Sequence, residues 1–291
     1  MSPAIDAFFH EPTNTVAYVV ADPATGRAAV IDSVLDFDMV TGRTATGHAD
    51  GILAHLAARG LALDWILETH VHADHLSAAP YLRDAAGGRI GIGERITTVQ
   101  HTFAEIYNAE RGFAQDGSQF DHLFADGETF AIGGLEAEYL ATPGHTPACG
   151  SYRVGDDIFV GDTLFMHDYG TARCDFPGGD ARTLYRSIRR ILSHHPQTVL
   201  WLCHDYKAPG RDEYAWRTTV GAQRELNPHV RDGVTEDEYV AMREAKDRTL
   251  GTPKLLIPSI QVNMRAGRMP PAEENGEVYL KMPVNVFGRA E

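Results

Sequence analysis

Within six residues, His70-Val71-His72-Ala73-Asp74-His75 offers three imidazoles and one carboxylate. These are donors that borderline cations such as zinc and iron bind well, so the segment predicts a metal site. It follows Trp65-Ile66-Leu67, an apolar run that reads as a strand. Were the chain to stay extended past Glu68, its two-residue repeat would put His70, His72 and Asp74 on one side. The competing reading is a polar loop whose histidines cap the next helix.

Recurrence of the pattern downstream favours the metal. Residues 136–141 read as a strand running into Thr142-Pro143-Gly144-His145-Thr146-Pro147, where Pro and Gly enforce a tight turn that presents His145 rigidly. Residues 158–160 form a short apolar strand closed by Gly161-Asp162-Thr163, and residues 198–202 another closed by Cys203-His204-Asp205. Four strand ends thus each deliver a histidine or an aspartate. The candidate ligands are His70, His72, Asp74, His75, His145, Asp162 and His204.

The rest of the chain must bring those four ends together. With 291 residues, 43% of them hydrophobic, it can bury a large core. Residues 1–250 read as one catalytic domain and 251–291 as a C-terminal extension packed on it. Strand-like runs at 7–9, 15–21 and 28–31 predict a meander ending at Asp32, followed by a polar loop over 36–47. Helical spacing marks 52–58, 76–86, 97–107, 181–192, 214–226 and 236–250, with Ser77 as an N-cap. The tail from Pro253 reads as irregular surface structure. This mixed order predicts two sheets sandwiched between helices.

Composition narrows the partners. A net charge of −14 and no Lys/Arg stripe exclude a nucleic-acid binder. Cys149, Cys174 and Cys203 are odd in number and far apart, which fits free thiols in a reducing compartment. No apolar run approaches the ~20 residues of a membrane span. The first residues carry no secretion pattern, so the expected location is the cytoplasm, away from membranes.

The ligand residues, in this order, resemble the metallo-β-lactamase superfamily. That resemblance implies an α/β chain folded as an αββα four-layer sandwich, with two mixed β-sheets and the metal in a cleft at their edge. Residues 68–77, 142–147, Gly161-Asp162-Thr163-Leu164-Phe165 and above all Asp168-Tyr169-Gly170-Thr171-Ala172-Arg173-Cys174-Asp175-Phe176 are similar to the persulfide dioxygenase branch, a relative of glyoxalase II. Ser259-Ile260-Gln261-Val262-Asn263-Met264-Arg265 also looks like its bacterial members. The branch implies one Fe(II) per chain, held by His70, His145 and Asp162, a two-His-one-carboxylate face that leaves positions open for substrate and dioxygen. His72, Asp74, His75 and His204 would then surround the ligands, orienting them and relaying protons. The implied activity is oxidation of glutathione persulfide by O2 to sulfite and glutathione, in a homodimer or larger assembly. Arg173 and Tyr206 are the implied glutathione contacts, with Tyr169 as a pocket wall.

The same seven residues also satisfy a hydrolytic pattern. His70, His72, His145 and Asp162 would hold one metal, and Asp74, His75, His204 and the shared Asp162 another. That alternative is a glyoxalase II-like thioester hydrolase acting on acylglutathione, with Zn(II) or a dinuclear Fe/Zn site. Ligand inventory alone leaves the metal count open. Three neighbouring residues carry rival readings. Arg173 can pair with Asp175 instead of substrate, and Cys174 is either a reactive thiol or a small buried packer. Asp32 is expected to hold a loop near the metal through backbone N–H groups.

Overall fold

The computed structural model of this chain describes residues 2–287. Its organisation is clearest in the strand Thr15–Ala21, where all seven residues are buried. Val16, Tyr18 and Val20 enter one apolar cluster, and Ala17, Val19 and Ala21 enter another. That is the two-residue alternation of a strand covered on both faces.

Two six-stranded mixed sheets result. The first runs in the order Ala4–His10, Thr15–Ala21, Arg27–Ile31, Ala62–Leu67, Arg89–Gly93, His122–Phe124, antiparallel over its first three strands and parallel thereafter. The second is Thr129–Ile132, Leu135–Ala141, Gly150–Val154, Asp157–Phe159, Val199–Trp201, Arg217–Thr219, with one parallel pair where Asp157–Phe159 meets Val199–Trp201. Tyr18, Ile31, Trp65 and Leu67 of one sheet pack against Tyr139, Tyr152 and Phe159 of the other. Outside the first sheet lie helices Gly47–Arg59, Ala79–Ala86, Ile96–Ile106 and Leu256–Asn263, whose Ile52, Leu82, Val99 and Ile260 share its outer core. Ala181–Ile191, Val220–Leu226 and Glu236–Asp247 cover the second sheet through Leu184, Ile188, Val220 and Tyr239. This is the expected αββα sandwich. Among the described residues no helix is long and apolar enough to cross a membrane.

Several local expectations change. The loop read over 36–47 contains a hairpin, Val34–Asp38 with Arg43–Ala45, that pairs with a two-residue strand Leu76–Ser77. Ser77 is therefore extended, and the helix behind it starts at Ala79, whose N–H donates to Ser77 Oγ at 3.0 Å. Residues 214–226 divide into the edge strand Arg217–Thr219 and the helix Val220–Leu226, because the Thr219 side chain caps the helix by accepting from Ala222 N–H. The tail is not merely irregular surface: Leu256–Asn263 is a helix buried along most of its length. Positions 288–291 of the extension read from sequence lie outside the described residues.

Candidate metal centre

The strand carrying the histidine cluster ends at Leu67, and the chain then bends instead of staying extended. The two-residue alternation that would put His70, His72 and Asp74 on one side therefore does not apply here. Two groups hold the bend. Thr69 O accepts from Gly150 N–H at 2.9 Å. Asp32, in the left-handed region at φ 53°, accepts from Thr69 N–H at 2.7 Å and from Thr69 Oγ at 2.9 Å. This is the loop-holding role expected of Asp32, and aspartate tolerates that backbone conformation better than most residues.

The other ligands come from the second sheet. His145 sits in a turn closed by a hydrogen bond from Thr142 N–H to Cys149 O and braced by Ser187 Oγ, which donates to Pro143 O at 2.6 Å. Gly144 beside it has φ 139°, and a Cβ there would lie 2.3 Å from the Leu184 main chain. Only glycine lets helix Ala181–Ile191 approach so closely. Asp162 occupies the short 3₁₀ turn Gly161–Thr163 after strand Asp157–Phe159. His204 follows Val199–Trp201 and reaches across to the first sheet, where Cys203 O accepts from Val16 N–H at 2.7 Å.

Five buried imidazoles converge here, and each spends one ring nitrogen on the protein. His145 Nδ1–H donates to Arg173 O at 2.7 Å, and His204 Nδ1–H to Asn14 O at 3.1 Å. Thr69 gives its hydroxyl proton to Asp32, so its oxygen accepts from His70 Nδ1–H at 3.0 Å. His72 Nε2–H donates to Asp32 Oδ1 at 3.0 Å, and His75 Nδ1–H faces Asp74 Oδ2 at 3.3 Å. The opposite nitrogens of His70, His72, His75 and His204 are buried without a partner, as is Asp162 Oδ1. Buried polar atoms are rarely left unpaired, and imidazoles fixed by an outer acceptor with the other nitrogen bare are what a cation requires. The residues fit a metal.

Donor atoms of His70, His145 and Asp162 lie within 4.8 Å of one another. Asp162 Oδ2 is 3.6 Å from His145 Nε2 and 3.9 Å from His70 Nε2. His72 groups instead with Asp32 and Glu68, with Asp74 and His75, and with Cys203 and His204. On the far side of the trio, His204 Nε2 stands 3.3 Å from Asp162 Oδ1 and 3.4 Å from Asp74 Oδ2.

Charge divides the histidines. Burial, reinforced by the neighbouring His72 and His145, holds His70 well below the ordinary imidazole range. Burial and His72 push His75 down to about 4. For His72 burial acts the same way, but Asp32 and Glu68 outweigh it and hold its pKa well above the ordinary value. The His75 shift has a sign that can be tested. An unfolded chain takes up a proton at His75 near pH 6.5, whereas the folded one resists until about 4. Stability from this group is present above pH 6.5 and lost as pH falls toward 4. His72 contributes the opposite slope, at higher pH. Denaturant midpoints of the metal-free protein should drop between pH 6.5 and 4, and His75→Gln should flatten that fall; an equally steep fall in the variant would contradict the assignment.

A cavity of about 210 Å3 opens on His145 and Asp162, beside Asp74. Its walls include Phe165, Tyr169, Phe176 and Tyr206, with Arg173 and Lys246 at its polar edge. Tyr206 stacks on His204 with 5.6 Å between ring centroids, and Tyr169 lies 5.5 Å from Tyr206. Both tyrosines thus wall the pocket. Arg173 is otherwise engaged, with Asp175 at 2.6 and 2.8 Å and Gly251 O at 2.7 Å. Its carbonyl supports His145 while its guanidinium is spent on the rival salt bridge. Cys174 is a buried packer whose thiol burial pushes up, not down. A second cavity, of about 830 Å3, lies beyond Asp74, His75 and Tyr206, under the Val34–Ala45 hairpin. Sequence reasoning missed Lys246, Arg243 and Asp247, all on helix Glu236–Asp247. It also gave no role to Asn263, whose side-chain amide donates to His72 O at 2.9 Å and His75 O at 2.8 Å.

Residues 10–204 match the profile of the metallo-beta-lactamase superfamily. The chain belongs to that superfamily. A probable metallo-hydrolase of Burkholderia pseudomallei is 54% identical, the match covering 97% of this chain and 99% of the relative. Glyoxylase B2 of Dictyostelium discoideum is 49% identical over 97% of both. The mitochondrial persulfide dioxygenase ETHE1 of Mus musculus is more distant, 27% identical over 90% of this chain and 88% of its own. Among solved structures, ETHE1 from Myxococcus xanthus superposes with a TM-score of 0.72 at 28% identity, covering 91% of this chain and all of that one. The chain is thus an enzyme-superfamily member with a sandwich fold and a His/Asp cluster suited to metal.

Proposed function

We propose that this protein oxidises a glutathione-carried persulfide with dioxygen at a single iron held by His70, His145 and Asp162. The balanced reaction is glutathione persulfide, O2 and water giving glutathione, sulfite and two protons. The observation that carries this reading is the composition of the donor trio: two imidazoles and one carboxylate lie within 4.8 Å of one another, while His72 falls outside that group, with its Nε2 on Asp32 and Glu68 and its Nδ1 bare. Bound Fe(II) at such a face supplies redox chemistry and open positions for a sulfur anion and O2. The chain supplies the rest. Asp32, Arg173 O and Asn14 O fix the ring orientations, and the aromatic walls limit water. Lys246, 5.8 Å from the Tyr169 ring, offers a cation to the carboxylates of the thiol carrier. The superposition on ETHE1 over 91% of this chain supports the same reading.

Thioester hydrolysis is the second reading, and specific observations favour it. The relatives that share half of this sequence bear hydrolase and glyoxylase names, which weigh more for hydrolysis than a 27% likeness weighs for oxidation. The bare nitrogens of His75 and His204 could complete a second metal with Asp74 and Asp162. One preparation separates the two. Protein purified without oxygen should carry about one iron per chain, consume O2 with glutathione persulfide and leave S-lactoylglutathione intact. Two zinc ions per chain, thioester cleavage and no oxygen uptake would establish the hydrolase instead.

A further inference from the structure

Arg243 is 1% exposed, the bulkiest of the fully buried side chains, and it faces Asp247, itself 5% exposed, one helical turn away. A buried ion pair is costly to desolvate and adds stability poorly, so what else the pair contacts matters. Both members contact a single irregular segment. Arg243 Nη1 donates to Thr171 O at 3.0 Å, and Asp247 Oδ2 accepts from Cys174 N–H at 2.9 Å, while Asp247 Oδ1 takes Arg243 Nε at 2.9 Å. Between those two anchors lies Arg173, whose carbonyl receives the His145 Nδ1 proton at 2.7 Å. Buried irregular backbone must find partners for its polar groups, and here they come from charged side chains, which make stronger and better-directed bonds than neutral ones. The helix bearing the pair is itself fixed at its start by a capping box between Thr235 and Glu238.

We propose that the Arg243–Asp247 pair is a positioning element for the metal ligand His145, acting through the main chain of residues 171–174. It sets the height of the Arg173 carbonyl, which fixes both the ring plane of His145 and the nitrogen left free for the cation. The inference rests on reading His145 as a metal donor, which the oxidative and hydrolytic chemistries share. Metal affinity rather than turnover is therefore the readout, so failure here leaves the choice of reaction untouched.

The test replaces the pair by apolar side chains of similar size, Arg243→Met with Asp247→Leu, an exchange that buried ion pairs often tolerate without loss of stability. Fe(II) affinity is measured anaerobically by chelator competition, and the protonated ring nitrogen of His145 in the metal-free protein by 15N NMR. Expected is a loss of about 10–100-fold in affinity, as for other outer partners of metal-bound histidines. The His145 ring should lose its fixed Nδ1–H tautomer while His70 and His204 keep theirs, and the thermal midpoint of the metal-free protein should stay near that of the parent. Unchanged affinity, or lost affinity with the His145 tautomer intact, would overturn the proposal. Should the double variant not fold, Arg243→Lys keeps the ion pair but withdraws the contact to Thr171; it should weaken iron binding and loosen the His145 tautomer, and parental behaviour in both would count against the proposal.

Discussion

His70→Ala, His145→Ala and Asp162→Ala should each purify with almost no iron, whereas His72→Ala should keep most of it. The trio's donor atoms group within 4.8 Å of one another, so removing any one leaves only two of the three that define the proposed site. His72 turns its Nε2–H to Asp32 Oδ1, with Glu68 Oε2 at 3.4 Å, and behaves as a charged prop beneath the ligand loop. Its removal should weaken metal binding or activity by about 10–100-fold, the usual effect of losing an outer partner. Metal analysis and iron titration of the four variants give the comparison. If His72→Ala lost its metal as completely as the trio variants, His72 would be a ligand and the three-histidine hydrolytic pattern would stand.

A second large effect is expected at Asp32, 2% exposed. Its carboxylate accepts from Thr69 N–H, Thr69 Oγ and His72 Nε2. Asp32→Ala strands these donors in the interior and leaves His72 facing Glu68 alone, so a loss of about 3–5 kcal/mol is expected, the range for breaking a buried charged pair. The left-handed backbone at φ 53° adds about 1 kcal/mol against alanine. Asp32→Asn keeps the backbone preference and one acceptor oxygen and should lose less. Urea unfolding of the metal-free proteins measures both, and a change under about 1 kcal/mol for Asp32→Ala would remove Asp32 from the framework of the site.

The layered fold was legible in the order of strand-like and helical runs, together with the resemblance of the ligand pattern to its superfamily. Residues 15–21 read as a strand, and the ligands were placed at strand ends; that this strand is covered on both faces came from the structure. The direction of His72 was not legible. It depends on the strand stopping at Leu67 and on Asp32 catching Thr69, a contact across 37 positions that no local pattern encodes. Arg173 was legible as a residue near the site but not in its role, since the sequence cannot say that its carbonyl rather than its guanidinium does the supporting. Helix Glu236–Asp247 looked amphipathic, yet two of its charged residues point inward. Periodicity sorts apolar from polar faces and cannot tell a solvated charge from a buried one.

The Asn263 side chain fastens the carbonyls of His72 and His75 from 191 and 188 positions downstream, and takes Ser77 N–H on its own oxygen at 2.8 Å. A nascent chain emerging from the ribosome therefore owns all seven candidate ligands long before it owns the latch that shapes their loop. The ligand loop can be tied down in this way only once the chain is made through residue 263. A chain cut ahead of that residue would lack the amide that holds the His72 and His75 carbonyls.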